Sequence, residues 1–89
     1  VSDTEWEEAA RAAIEKSGLK PGQRYRHYKT KAIYVIRDIG IAEHDKEPMV
    51  SYRRADDDSG WMWMRYLRVF TGRAIAENTL VPRFALVED

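Results

Sequence analysis

The chain has 89 residues, with 15 basic and 15 acidic side chains and no cysteine. That length suits one small domain, which buries only about 60–65% of the surface its unfolded chain exposes, so modest stability is expected. Balanced charge argues against holding nucleic acid by bulk attraction, and missing thiols exclude disulfides and cysteine zinc sites. No apolar run approaches the roughly 18–20 residues of a membrane-spanning helix, and the composition suits a reducing cytoplasm.

Residues 2–19, SDTEWEEAARAAIEKSGL, read as one amphipathic helix. Ser2 with Glu5, or Thr4 with Glu7, offers a capping box, and the acidic first turn suits the positive end of the helix dipole. Trp6, Ala9, Ala10, Ala13 and Ile14 recur at helical spacing, a narrow stripe with Trp6 as its one large anchor. Gly18 can take the left-handed cap, Leu19 can fold back on the helix, and Lys20-Pro21-Gly22 ends it.

From Arg24 onward the period becomes two. RYRHYK (24–29) and AIYVIRDI (32–39) are rich in strand formers, and the tight Thr30-Lys31 connection predicts a hairpin. IAEHDKEP (41–48) is a polar loop, and Pro48 leads into a strand, MVSYRR. ADDDSG (55–60) is a turn cluster with Gly60 as its left-handed residue. WMWMRY (61–66) is a further strand, LRVFTGRAIAENT (67–79) a helical turn plus loop, and LVPRFALV (80–87) the last strand. Short strands with turn signals roughly every 8–12 residues suggest a small, strongly bent antiparallel barrel. Charge is sorted into strips: residues 24–37 hold Arg24, Arg26, Lys29, Lys31 and Arg37 with no acid, whereas residues 38–47 hold Asp38, Glu43, Asp45 and Glu47 against Lys46.

Five separated blocks, YRHYKTKAIYVI, EHDKE, VSYRR, WMRYLRVF and VPRF, follow the order and spacing of a bacterial family. The chain resembles that family, catalogued as domain of unknown function 1653, over about residues 21–87, leaving the helix outside. Thr30 stands where the family usually has glycine, Tyr66 where it usually has proline, and HDKEP replaces the usual His-Ser-Glu-Thr. The resemblance implies a compact β-rich domain similar to an SH3-like barrel, found in small bacterial or phage proteins, and it brings no reaction with it. The expected fold is therefore α+β: an N-terminal amphipathic helix (residues 1–19) packed on a five-stranded antiparallel SH3-like β-barrel (residues 20–89).

On an extended strand Tyr25, His27 and Lys29 share one face, and Arg24, Arg26 and Tyr28 the other. One strip could offer a guanidinium and aromatic faces to a nucleotide-like anion; equally, Tyr and His could fill the core while Arg and Lys lie outside. Trp61, Trp63 and Arg65 point one way and Met62 and Met64 the other. The methionines suit a small core, which leaves Trp63 at a pocket rim or core edge and Trp61 more exposed. Arg53, Arg65 and Arg83 each lie by an aromatic, Tyr52, Trp63 and Phe84. They must pair with acids such as Asp38, Glu43 or Asp56–Asp58, reach water, or converge on an anionic ligand. His27, His44 and Asp45 lack the spacing of a recognised metal motif, and Ser17, Ser51 and Ser59 lack a nucleophile's setting, so no metal, cofactor or catalytic residue is expected.

These signals fit a non-enzymatic module that binds a small anionic, nucleotide-like or phosphorylated ligand through Arg26, His27, Tyr28, Arg53, Trp63 and Arg65. Phage-type sequestration of a signalling nucleotide is the role that would follow. The alternative is a protein–protein adaptor or inhibitor using Trp61 and Trp63, aromatics a homodimer would also use. Nucleic acid ranks third, an enzyme last, and no membrane partner is expected.

Overall fold

The computed structural model describes residues 5–87. Helix α1 (Glu5–Ser17) carries Glu5, Glu7 and Glu8 in its first turn and Lys16 in its last, charges that complement the dipole at both ends. The expected caps at Ser2 and Thr4 lie outside the described residues. Gly18 takes the left-handed conformation (φ 73°), its N–H donates to the Glu15 carbonyl at 3.2 Å, and Leu19 folds into the core. Trp6 is not the anchor. It stays 36% exposed, with the Lys46 ammonium 5.5 Å from its ring centre. Ala10 is the buried residue of the helix, and Ile14 packs against the core. Alanines fill the stripe with little volume, so the indole reaches past them to a recess shared with Ile41.

Strands β1 (Arg24–His27) and β2 (Ile33–Ile41) form the expected hairpin, with Tyr25 opposite Tyr34. The His27 N–H donates to the Ala32 carbonyl and the Lys31 N–H to the His27 carbonyl, both at 3.0 Å. Lys31 is the left-handed residue (φ 63°). Thr30 is not, and its hydroxyl instead accepts the Ala32 N–H at 3.3 Å. A side chain at position 30 is therefore no burden on the turn.

β2 pairs with β3 (Pro48–Arg54), and β3 with β4 (Trp63–Tyr66). Gly60 is left-handed (φ 88°) in the turn between them. A one-turn helix, α2 (Leu67–Phe70), then drives Leu67 and Phe70 into the core. Residues 71–87 depart from expectation. They form a hairpin of β5 (Arg73–Ala76) and β6 (Thr79–Pro82), followed by β7 (Phe84–Leu86). Glu77 (φ 51°) and Asn78 (φ 64°) are both left-handed, the signature of a type I′ turn. The single strand expected over residues 80–87 breaks at Arg83. Its N–H donates to the Gly72 carbonyl and its carbonyl accepts the Tyr28 N–H, both at 3.0 Å, which passes the chain from the hairpin to the edge of β1.

The result is an α+β fold with a five-stranded antiparallel sheet, ordered β4-β3-β2-β1-β7, and a separate two-stranded sheet, β5-β6. Register defines the faces. Tyr25, Tyr34, Ile36, Val50 and Tyr52 lie on the inner face, and a bulge in β2 between Ile36 and Asp38 brings Ile39 back to that side, opposite Val50. The centre is aromatic: Phe70 and Phe84 stack at 4.1 Å and 5°, while Tyr25 and Tyr52 meet Phe70 edge-on at 5.4 and 5.3 Å. Met62 and Met64 are not core gap-fillers. Met64 lies opposite Ser51, while Trp63 and Arg65 lie opposite Tyr52 and Val50, so the methionine side of β4 faces outward.

Candidate functional site

Strand pairing assembles a cationic, aromatic cluster on the inner face. The last residue of β1, His27, pairs with the first of β7, Phe84, and their rings meet edge-to-face at 5.1 Å. From β4, the Arg65 guanidinium sits 5.5 Å from the Phe84 ring centre and near enough to the Tyr52 hydroxyl to act on its charge. Tyr34 packs edge-on to both Tyr52 and Phe84, at 5.4 and 5.8 Å. Arg83, adjoining Phe84, is near enough to act on the charge of His27. Tyr28 brings its ring to 4.9 Å from His27, and Trp63 lies two residues along β4 from Arg65 on the same face.

The turn after β1 fixes the imidazole. His27 Nδ1 accepts the N–H groups of Lys29 and Thr30, at 3.2 and 3.4 Å, so the proton of the neutral ring sits on Nε2. Burial, then Arg65, Arg83 and Lys29, hold the His27 pKa below its ordinary 6.5. The ring is thus a neutral Nε2–H donor at neutral pH. Burial raises the Tyr52 pKa despite Arg65, so that hydroxyl keeps its proton. Ion pairs among the described residues lie elsewhere: Glu7–Arg11, His44–Asp45, Arg54–Asp56 and Glu47–Arg68. Neither Arg65 nor Arg83 has a carboxylate partner among them, and the buried Nε of Arg83 has no hydrogen-bond partner. Buried donors are rarely left so, and charged ones least of all.

Of the six residues expected to share a ligand site, the fold groups His27, Tyr28, Trp63 and Arg65. Arg26 and Arg53 do not join them. Each sits one residue from an inner-face side chain and points to the other side of the sheet: Arg26 opposite Ile33 and Ala85, Arg53 opposite Val35. The Arg53 guanidinium is occupied by the Asp57 carbonyl at 2.9 Å. Arg83 takes the vacant role; its place beside Phe84 in the sequence was the available signal, but only the β7–β1 pairing brings it to His27. Trp61 and Trp63 are 72% and 54% exposed.

His44 and Asp45 belong to a different cluster. The Tyr66 hydroxyl donates to Asp45 at 2.7 Å and lies 3.2 Å from His44 Nε2. That bond lowers the Asp45 pKa and raises that of Tyr66. Among the described residues no group of three or more His, Cys, Asp or Glu is placed to hold a metal ion. A recess of about 530 Å³ lies away from the arginine cluster, lined by Ala13, Lys16, Glu47, Pro48, Leu67 and Arg68 among others. Arg68 and Glu47 pair there at 2.9 Å, so its charges are largely answered. The unanswered charges mark the better site.

A family model described as a protein of unknown function, DUF1653, matches residues 23–86. The crystal structure of a DUF1653 protein from Bordetella bronchiseptica is similar at 33% identity and a TM-score of 0.65, covering 78% of this chain and 87% of that one. No curated protein matches the chain.

Proposed function

The chain belongs to the DUF1653 family of proteins of unknown function, and from that premise we propose that it is a non-enzymatic module binding a small anionic, nucleotide-like or phosphorylated ligand. Arg65 and Arg83 hold the anion by charge-assisted hydrogen bonds, and His27 adds its Nε2–H. Trp63 and Tyr28 offer faces to a planar ring. One observation carries the reading: the Arg65 guanidinium lies over Phe84 and Arg83 lies near enough to act on the charge of a neutral His27, neither cation meets a carboxylate among the described residues, and the buried Nε of Arg83 has no partner. An anion would remove that deficit. Sequestration of a signalling nucleotide, in the bacterial cytoplasm or on behalf of a phage, is the role this chemistry would serve. In the same proposal the bent sheet and its side hairpin form an SH3-like barrel, a reading supported by antiparallel pairing throughout and by Arg83 joining β6 to β7.

Native and denaturing mass spectrometry of freshly purified protein comes first, then calorimetric titration with ATP and with inorganic pyrophosphate. The expected result is a retained mass lost on denaturation, or saturable binding that Arg65→Ala weakens about tenfold or more, the value of one charge-assisted hydrogen bond, with an unchanged circular dichroism spectrum. A bare protein that binds neither probe sinks the proposal. The exposure of Trp61 and Trp63 favours a second reading, an adaptor or inhibitor that captures another protein. There Trp61→Ala abolishes capture, and neither probe matters.

A further inference from the structure

Strand β4 ends the five-stranded sheet, and side chains on both its faces are bare: Trp63 is 54% and Met64 63% exposed, with Trp61 at 72% and Met62 at 48% just before it. Edge strands are ordinarily blunted by proline, lysine, an inward charge or a bulge, because their free N–H and C=O groups template pairing. Residues 61–64 carry none of these devices, and the inward charge that β4 does hold, Arg65, is one that a pairing must answer. The two tryptophans leave roughly 300 Å² bare at about 250 Å² for a whole indole side chain. With the methionines, two copies present on the order of 1,000 Å², the threshold for a specific interface.

We propose that two copies of the chain pair antiparallel through β4 about a two-fold axis at Met64, joining their five-stranded sheets into one. Such an axis, perpendicular to the sheet, must set inner-face residues opposite inner-face residues, which restricts it to residue positions. An axis at Arg65 sets two guanidiniums against each other. An axis at Trp63 calls on Gly60, which is left-handed (φ 88°) and outside the strand. An axis at Met64 keeps the ladder within residues 62–66. It sets Trp63 opposite Arg65 of the partner subunit on the inner face, a cation–π pair. On the outer face it sets Met62 opposite Tyr66 of the partner subunit, a sulfur–aromatic pair, and the two Met64 side chains against each other. The strand is complementary to itself in this register. The pairing stands independently of the anion reading, although it brings a second indole beside the Arg65 cluster. It also covers surface that an adaptor would use for another protein.

The absence of cysteine makes the register directly testable. Sedimentation velocity of the wild type over a dilution series is expected to show a dimer that dissociates on dilution. Met64→Cys should convert to a covalent dimer under mild oxidation, since residues opposite one another across a strand pair lie within about 4.5–5.5 Å at Cβ. Ile75→Cys, 72% exposed and in the separate β5-β6 sheet, should remain mostly monomeric. Met64→Lys should sediment as a monomer at concentrations where the wild type is dimeric. Both positions are exposed, so the three variants are expected to fold. A wild type that is monomeric throughout the series overturns the proposal, as does Met64→Cys cross-linking no better than Ile75→Cys.

Discussion

Arg83→Met separates a residue kept for binding from one kept for folding. Methionine retains an apolar stem of similar reach and removes the guanidinium with its unpartnered Nε. A buried donor without a partner costs about 1–3 kcal/mol. Arg83 as a whole is only half-buried, so water still serves much of the group and the lower end applies, about 1 kcal/mol. The expected outcome, in phosphate-free buffer without ligand, is a Tm raised by roughly 4–8 °C, together with loss of ATP and pyrophosphate binding. Thermal unfolding followed by circular dichroism measures the first and calorimetry the second. Proton NMR of His27 gives a third readout, because removing one of the cations that depress its pKa must let that pKa rise. A Tm lowered by a similar amount would refute the reasoning. The guanidinium would then be a structural brace, and its unpaired Nε would no longer signal a ligand.

Phe70→Ala removes the ring that stacks on Phe84 and meets Tyr25 and Tyr52. A loss of about 3–5 kcal/mol is expected in urea denaturation, a large share of the roughly 4–13 kcal/mol a chain of this length commands. Glu77→Asn places a residue that tolerates the left-handed region where Glu77 now holds φ 51°, and should raise stability by about 0.5–1 kcal/mol. For pH, the folded His27 pKa lies below 6.5, so the unfolded chain takes up a proton that the folded chain refuses. The contribution is full above pH 6.5 and is lost as pH falls from there through the depressed value. The wild type should therefore lose more Tm than His27→Gln over that window, and anion binding should strengthen as the imidazolium forms. Equal losses in the two proteins would contradict the assigned environment of His27.

Where periodicity and turn chemistry act locally, the sequence is legible. The helix with its Gly18 cap, the first hairpin, and the shared face of Tyr25 and His27 all emerge as the residues suggest. Residues 71–82 do not, because Arg-Ala-Ile-Ala has weak strand preference and Glu-Asn is an uncommon type I′ turn. Alternation also gave the two sides of β4 correctly, but the expectation that the methionine side faced the core was wrong. Which side faces in depends on β4 being an edge strand, where even the inner-side Trp63 stays uncovered. The candidate site was half readable for the same reason. Trp63 and Arg65 share a strand face, but Arg83 reaches His27 only through a ladder between the chain's first and last strands. Arg26 and Arg53, attractive by composition, fall on the other side by one residue each.

The bulge at Arg37 divides β2 into two stretches with separate duties. Before it, Tyr34 belongs to the aromatic ground beneath Arg65 and His27; after it, Ile39 lies opposite Val50 and packs into the core. The extra residue resets the alternation between the stretches, so each can keep its own in–out order. Substitutions on opposite sides of the bulge should then combine almost additively in stability, leaving the arginine cluster free to change its specificity while the core below stays as it is. Deleting Arg37 would close the bulge without changing the register on either side, Ile36 staying opposite Tyr52 and Ile39 opposite Val50, and would join the two stretches into one regular strand.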